Sequence, residues 1–288
     1  MIRPGRLSVV ILLATVLGTA GCAVPTMPAP ASADHAMHTD KKTVDRNRMW
    51  QASLARAPLA VTVAFDRTGR LWRARVRDGQ VWLDRSLDQG RRFSEAVPVN
   101  NRPERIAADG ENRPKLAFGP AGEIYVSWTQ SLDVPFSGHV RFARSLDDGR
   151  RFSAPLTVND NLEAISHRFD SMAVTPAGHI HLVWLDKRDA QAAVRAGRRY
   201  TGISVYGTVS TDRGASFAAN RKLADHSCEC CRIALAADTD GAPVLVWRHV
   251  FGTNTRDHAL LRLDDQSQPV RVTHENWTLD ACPHHGPA

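Results

Sequence analysis

An eight-residue segment occurs three times in this chain and constrains its fold more than any other feature. Residues 86–93 read SLDQGRRF, residues 145–152 read SLDDGRRF, and residues 210–217 read STDRGASF. Each copy has Ser, Asp, Gly and Phe at the same offsets. Glycine permits the positive backbone φ of a tight turn, and an aspartate side chain accepts hydrogen bonds from nearby backbone amides. The repeat therefore predicts three equivalent hairpin turns, each with a phenylalanine packed against a sheet.

The three segments resemble the Asp-box, or BNR repeat, of the sialidase-like β-propellers. In that family the box is a structural turn that joins the third and fourth strands of a blade, away from the active site. The resemblance therefore implies structural rather than catalytic roles for Asp88, Asp147 and Asp212. It also implies the fold class, which is all-β: a sialidase-like propeller built from four-stranded blades.

A longer repeat surrounds the turns and defines the blades. Three successive units carry an apolar strand, a turn glycine and a second strand that ends in tryptophan six residues after the glycine; the tryptophans are Trp128, Trp184 and Trp247. An earlier unit, around Gly69, is divergent. Repeats of about 50 to 60 residues with four strands each are typical of propeller blades. The chain thus predicts four blades and, at residues 286–288, the start of a fifth. Because sialidase-like propellers have six blades, the resemblance implies an incomplete, truncated ring.

The N-terminal segment has the composition of a bacterial secretion signal. Arg3 and Arg6 precede an apolar run over residues 7–17, and small residues follow. The sequence before Cys22 resembles a lipobox, which implies that residues 1–21 are cleaved off and that Cys22 is lipidated. The alternative is a soluble secreted protein whose signal ends in a cysteine by accident.

The remaining boundaries follow from composition. Residues 22–50 read as the lipidated cysteine and a flexible tether, and residues 51–288 as the propeller. Ala23, by resemblance to Gram-negative lipoproteins, favours the outer membrane, facing the periplasm or the cell surface. The predicted partner is thus a membrane, reached through the lipid. The net charge of +7 is spread along the chain rather than concentrated, so no nucleic-acid partner is expected.

Cysteine and histidine concentrate in two segments near the C-terminus, at His226, Cys228, Cys230, Cys231, Cys282, His284 and His285. Cys228 and Cys231 lie 19 and 16 positions before Trp247, and Cys282 and His285 take the same places in the fifth unit. These four residues would therefore face each other between two blades. Three thiolates and an imidazole suit zinc or a soft copper ion. His226, Cys230 and His284 are further possible ligands.

A disulfide is the alternative reading of this cluster. Four cysteines remain besides Cys22, and an envelope protein lies in an oxidising compartment. A Cys228–Cys282 bridge across neighbouring blades would satisfy the pattern, with the histidines as bystanders. Free thiols with redox chemistry are the third alternative. The residues alone leave all three open.

Arginine forms the second cluster. Arg113, Arg168 and Arg232 fall 15 or 16 positions before their tryptophans on three successive blades, so all three should approach the propeller axis on one face. Guanidinium groups bind carboxylate, phosphate or sulfated sugar through forked hydrogen bonds. Sialidases use an arginine triad for the substrate carboxylate, which the resemblance extends to these residues. The alternative is a set of salt-bridged linkers between blades. Arg188 is a further candidate for binding an anionic ligand.

The candidate catalytic residues are Asp186 and Asp189, which follow Trp184 closely, and Tyr200. The two aspartates suit an acid or base and the tyrosine a nucleophile, although an internal salt-bridge set explains the aspartates as well. The Phe/Tyr-Arg-Ile-Pro element of sialidases is missing, because both Arg-Ile pairs of the chain precede alanine. The sequence therefore predicts a non-catalytic or cryptically catalytic envelope propeller whose upper face binds a carbohydrate or small anion. The alternative is an exo-sialidase-type glycoside hydrolase.

Overall fold

The computed structural model describes residues 48, 60–109, 112–238, 240–263, 267–279 and 286–287. The predictions for the signal, for Cys22 and for the tether up to residue 47 concern residues outside these ranges. Those for Cys282, His284 and His285 do so as well.

The described residues form four antiparallel sheets of four strands each, and each sheet follows the chain order. Blade one contains β1 (Val61–Phe65), β2 (Leu71–Arg77), β3 (Gln80–Ser86) and β4 (Val97–Pro98). Blade two contains β5 (Lys115–Phe118), β6 (Ile124–Ser131), β7 (Gly138–Ser145) and β8 (Leu156–Thr157). Blade three contains β9 (His167–Val174), β10 (Ile180–Asp186), β11 (Ile203–Ser210) and β12 (Arg221–Ser227). Blade four contains β13 (Ala234–Ala237), β14 (Pro243–Arg248), β15 (His258–Arg262) and β16 (Val270–Arg271). The predicted all-β propeller with four-stranded blades is confirmed.

The first strands of the blades pack side by side and are the innermost strands. β1 contacts β5, β5 contacts β9, and β9 contacts β13. The fourth strands lie outermost, and β4, β8 and β16 are only two residues long. Such short outer strands offer little unpaired backbone for pairing with another chain. Residues that precede or begin a first strand therefore lie closest to the centre.

The hydrophobic core is divided into layers between consecutive blades, and each layer contains one of the repeated tryptophans. Trp128 packs with residues of blades one and two, Trp184 with those of blades two and three, and Trp247 with those of blades three and four. All three side chains are fully buried. Blade stacking thus explains why these strands are apolar on both faces.

Each of the three repeated segments folds into the same type of turn, which joins the third strand of its blade to the fourth. The glycines at 90, 149 and 214 have φ of 90°, 76° and 77°. In each turn the glycine N–H donates to the serine hydroxyl, at 2.8, 3.0 and 2.8 Å. The aspartate Oδ1 accepts the N–H four residues ahead, at 2.8, 3.0 and 3.0 Å. Hydrogen bonds of the turn hold the pKa of all three carboxyl groups below the usual range, which fits a structural role.

The turns define the lower end of each blade, and the connections between the second and third strands define the upper end. In blade three the upper connection contains a helix, α1 (Arg188–Arg195). Alanines favour a helix here, and Asp189 and Arg195 complement its dipole at the two ends. Within the described ranges, no helix is both long and apolar enough to cross a membrane.

Candidate functional site

The three arginines predicted to share a face occupy equivalent register positions at the upper end. In blades two and four the first residue of the innermost strand pairs with the residue before the buried tryptophan, and Arg113 and Arg232 lie two residues earlier. In blade three Ser171 holds the paired position, and Arg168 lies three residues earlier. An irregularity beside Phe169, whose φ is 58°, takes up the additional residue. This bulge explains why the arginine spacing is 16 in blade three and 15 in the others.

The three arginines differ in their surroundings. The Arg168 side chain is only 6% exposed, and its Nη2 lies 3.4 Å from an Asp109 carboxylate oxygen. Its guanidinium also lies over the Phe169 ring, 5.1 Å from the centroid. Burial lowers the pKa of Arg168. Arg113 and Arg232 are half-buried, and Nε of Arg232 donates to the Gly286 carbonyl oxygen at 3.4 Å. Arg168 thus acts as a fixed positive charge between two arginines that reach solvent.

Arg188 lies outside this row and belongs to an internal network at the start of α1. Its Nε and Nη2 donate to Asp186 Oδ2 at 3.0 and 2.9 Å, and its Nη1 donates to Asp160 at 2.7 Å. Asp186 is fully buried and also accepts the Trp184 indole N–H at 2.9 Å. These contacts indicate that Asp186 and Arg188 have a structural role, which is to hold the buried Trp184 in place.

The other two catalytic candidates, Asp189 in α1 and Tyr200 just before β11, both contact residues of the outer strands of blade three. Tyr200 donates a short hydrogen bond to Asp225 and lies 2.6 Å from the Ser204 hydroxyl. Lys222 bridges Asp225 and Asp189, at 2.7 and 3.2 Å. Burial and the Asp225 carboxylate hold the pKa of Tyr200 above its usual range, so its phenol stays protonated. Asp225 and Lys222 were not identified from the sequence, where only their i, i+3 spacing links them.

The arginine row and these catalytic candidates are therefore separate. Arg168 lies on the innermost strand β9, whereas Lys222 and Asp225 lie on the outermost strand β12. The hydrogen-bond acceptors of this outer cluster are occupied by neighbouring side chains. It has the properties of a structural ion-pair network.

The described cysteines form a compact group where β12 ends and the chain leads into β13. Cys228 and Cys231 carry thiols that are each 1% exposed, and Cys231 donates its S–H to Cys228 over 3.3 Å. Cys230 is disulfide-bonded. The three Sγ atoms lie within 4.8 Å of one another. The alternative of a Cys228–Cys282 disulfide is not formed at Cys228, because the Cys228 sulfur faces the Cys231 thiol and Arg256 instead.

The Cys228 sulfur lies in an environment that favours the thiolate. The Cys231 hydrogen bond, the Cys230 backbone N–H and the Arg256 guanidinium together lower the pKa of Cys228 to about 6, against the effect of burial. Nη1 of Arg256 lies 3.1 Å from the sulfur. Arg256 is 28 residues further along the chain and was not identified from the sequence.

His226 does not join the sulfur group. Its Nδ1 lies 2.9 Å from the Thr201 carbonyl oxygen, and its ring packs beside Tyr200 and His249. Among the described residues, only the three cysteines bring ligand atoms together in this way. The other predicted ligands, Cys282, His284 and His285, lie outside the described residues.

Comparison with solved structures supports the fold. No protein-family model matches the chain, and neither does any curated protein sequence. A protein of unknown function from Dyadobacter fermentans is 14% identical, with a TM-score of 0.51 over 73% of this chain and 63% of its own. An alpha-L-arabinanase from Penicillium chrysogenum, complexed with arabinobiose, is 14% identical, with a TM-score of 0.54 over 75% and 67%. An alpha-L-arabinofuranosidase from Fusarium graminearum, in complex with an iminosugar inhibitor, is 13% identical, with a TM-score of 0.54 over 76% and 67%.

At these identities the similarity shows the propeller fold alone. The chain spans about two thirds of the length of these structures, between 63% and 67%. The finer resemblance, to sialidase-like propellers with Asp-boxes, stays a prediction.

Proposed function

We propose that this chain is a carbohydrate-binding propeller whose ligand carries an anionic group recognised by Arg113, Arg168 and Arg232. The observation that carries the proposal is the equivalent register of these residues on three adjacent innermost strands. Equivalent positions on adjacent blades direct like charges toward one region at the upper end. A carboxylate or sulfate bound in that region would meet guanidinium groups from adjacent blades.

The exposure of the three arginines suggests how they divide the binding. Arg113 and Arg232 are half-buried, so their guanidinium groups can form forked hydrogen bonds with a carboxylate or sulfate. Arg168 is too buried for extensive ligand contact and would add positive potential from below. The solved arabinanase with a similar fold is complexed with arabinobiose, which supports a sugar ligand for this architecture.

The proposed activity is binding without turnover. Asp186 is buried against Trp184 and Arg188, and Tyr200 is held protonated beside Asp225. Neither is free to act on a sugar bound at the innermost strands. The alternative, an exo-sialidase-type glycoside hydrolase, would keep the arginines for the substrate carboxylate and would need other residues for catalysis.

The proposal includes attachment to the bacterial envelope through a lipid on Cys22. The support is the charged, apolar and small-residue pattern of residues 1–22. Metabolic labelling with a fatty acid should mark the wild-type chain and leave Cys22→Ser unlabelled. Label retained in Cys22→Ser, or release of the wild type as a soluble protein, would exclude the anchor.

The ligand proposal is tested by measuring affinity for acidic and neutral oligosaccharides with the full chain in detergent. Sialylated and uronic-acid oligosaccharides should bind, and neutral arabino-oligosaccharides should bind more weakly. Arg113→Ala and Arg232→Ala should each weaken binding about 10- to 100-fold, since each removes hydrogen bonds between charged groups. The matched control is Arg92→Ala, an exposed arginine of a lower-end turn.

Equal affinity for neutral and acidic sugars, or binding unchanged in both arginine variants, would refute the anionic site. Release of sugar from a fluorogenic sialoside or arabinofuranoside that is lost in Arg113→Ala would favour the hydrolase instead.

A further inference from the structure

The innermost strand of blade one has an exposed apolar face. Val61, Val63 and Phe65 alternate along β1 and are 46%, 56% and 61% exposed. The residues between them face blade two, because the Thr62 hydroxyl donates to the Pro114 carbonyl oxygen just before β5. The exposed face therefore points away from blade two. Contiguous exposed apolar surface of this kind marks interaction sites.

The same positions in the other blades contact the preceding blade. By strand register, Val63 corresponds to Leu116 of blade two, and Phe65 to Phe118. Leu116 and Phe118 pack in the core layer between blades one and two, where the Phe118 ring centroid lies 6.2 Å from that of Trp72. The equivalent residues of blades three and four that pack against the preceding blade are Met172, Val174 and Leu235. β1 therefore carries the surface with which a first strand joins its neighbour.

Blade four has a complementary surface on its side away from blade three. Leu245 and Leu261 pack in the core layer shared with blade three. The alternate residues Val244 and Leu260 therefore face the opposite side, and both are partly exposed. Together with Arg262 they line a pocket of about 440 Å³.

The lining of this pocket repeats the surface that receives Phe118 in blade one. Val244 and Leu260 occupy the register positions of Trp72 and Leu83. Trp72 and Leu83 are 3% and 1% exposed, because blade two covers them. The blade-four pocket is therefore shaped to receive the first strand of another blade.

An arginine belongs to each of these receiving surfaces. Arg85 and Arg144 have the same register position in blades one and two. Each donates to a main-chain carbonyl in the lower-end turn of the following blade, at 3.4 and 2.7 Å. Arg262 has that position in blade four, where it also pairs with Asp238 at 2.9 Å. The corresponding turn carbonyl of blade one is that of Gln89.

We propose that this chain associates head to tail, with Val63 and Phe65 of one copy packed into the blade-four pocket of a second copy. The occupant is a second copy because the chain makes the same contact three times between its own blades, with equivalent residues on both sides. Burial of apolar surface drives the association. The contact is heterologous, so it closes into a ring or extends into a filament according to the rotation between copies.

The test measures the mass of the full chain in density-matched detergent by sedimentation equilibrium at micromolar protein concentrations. We expect the mass to rise with concentration to that of two or more copies. Val63→Asp and Phe65→Asp each place a charge in the apolar contact, so each should weaken association by at least about 100-fold. Leu260→Asp should do the same from the opposite side of the contact.

Mixing two variants tests the direction of the contact. Phe65→Asp retains the pocket and Leu260→Asp retains the β1 face, so an equimolar mixture should regain one contact and form a heterodimer. Each variant alone should keep the mass of one copy at the same concentration. Association of Leu260→Asp alone would show that two β1 faces pair with each other, which would overturn the head-to-tail arrangement.

The matched control is Val194→Asp, since this valine is 67% exposed on α1, outside both faces. Its association should equal that of the wild type. Circular dichroism verifies the fold of each variant. If Leu260→Asp does not fold, Leu260→Ala takes its place and should weaken association about 10-fold.

Three further results would overturn the proposal. The first is a wild-type chain that keeps the mass of one copy over the whole concentration range. The second is association that is unchanged in both Phe65→Asp and Leu260→Asp. The third is protection of Phe65 from hydroxyl-radical oxidation in single copies, which would show that another segment of the chain covers the β1 face.

Discussion

Blades three and four each contain a buried tryptophan at the same position, but the surroundings of the two indole N–H groups differ. In blade three, Trp184 donates to Asp186 at 2.9 Å, and Arg188 neutralises that carboxylate. In blade four, His249 stands two residues after Trp247, where Asp186 stands after Trp184. Neither the Trp247 indole N–H nor His249 Nδ1 has a hydrogen-bond partner within the described ranges.

The difference lies in whether the buried indole N–H has a hydrogen-bond acceptor. A buried polar group without a partner costs about 1–3 kcal/mol, which a purely structural blade would avoid. Blade three gives its tryptophan N–H a buried carboxylate, although His167 Nε2, 3.8 Å from that carboxylate, has no hydrogen-bond partner within the described ranges. In blade four, three buried ring nitrogens have no hydrogen-bond partner within the described ranges, namely those of Trp247, His249 and His258. We therefore expect stability to depend more on the carboxylate beside Trp184 than on the imidazole beside Trp247.

The largest expected effect comes from removing the carboxylate of blade three. Asp186→Ala leaves the Arg188 charge and the Trp184 N–H without their buried partner, so the free energy of unfolding should fall by about 3–5 kcal/mol. The matched variant is His249→Ala, which removes a ring with an unpartnered nitrogen from the equivalent position. Urea unfolding monitored by tryptophan fluorescence measures both. Equal losses in the two variants would remove the distinction between the blades.

A smaller effect isolates the indole hydrogen bond. Trp184→Phe and Trp247→Phe remove similar volume from two fully buried sites, but only Trp184→Phe breaks a hydrogen bond to a carboxylate. Hydrogen bonds to charged groups contribute about 1.5–3 kcal/mol, so the Trp184 variant should be less stable by roughly that difference. A larger loss for Trp247→Phe would mean that this indole N–H has a partner in solution.

The sequence predicts the blades well because their signals are local and repeated. Each turn needs a residue that tolerates positive φ, and its serine and aspartate bond within the turn, so three copies suffice to identify it. The register of the arginines could also be predicted from their spacing, because residues are regularly spaced along equivalent strands. The one-residue offset at Arg168 could not be predicted, because a bulge at Phe169 depends on packing between strands.

The chemistry of the site was less predictable because it depends on contacts between distant segments. The spacing of cysteines does not determine which of them pair. Arg256 lies in the connection between β14 and β15 and contacts Cys228 from there. Nothing in the local sequence around either residue indicates this contact. Asp225 meets Tyr200 in the same way, through pairing of β11 with β12. Sequence reasoning identified these candidate residues but not their partners.

The next effect is a pH dependence that originates in blade four. Burial, with the nearby His226, lowers the pKa of His249 to about 4, below the ordinary value of about 6.5. The unfolded chain therefore takes up a proton between about pH 6.5 and 4 that the folded chain excludes, so stability falls as the pH is lowered through this range. In His249→Gln this fall should be shallower in urea unfolding.

His181 of blade three is also buried, with a pKa of about 4, so part of the wild-type slope should remain in His249→Gln. An unchanged slope in His249→Gln would show that this ring is protonated equally in both states.

The smallest expected effect compares the first turns of the two blades. Gly178 and Gly241 have φ of 82° and 84°, so alanine at either position is strained by about 1–2 kcal/mol. An added Cβ at Gly241 would lie 2.9 Å from Pro176 Cδ, whereas at Gly178 it would lie 3.4 Å from Pro120. Because the ring of Pro176 is rigid, Gly241→Ala should cost about 1 kcal/mol more than Gly178→Ala in urea unfolding. Gly197→Ala, with φ of 65° and open space around the Cβ, gives the cost of strain alone. If Gly241→Ala matches Gly197→Ala, the contact between blades three and four yields easily, and the two blades are more loosely joined than blades two and three.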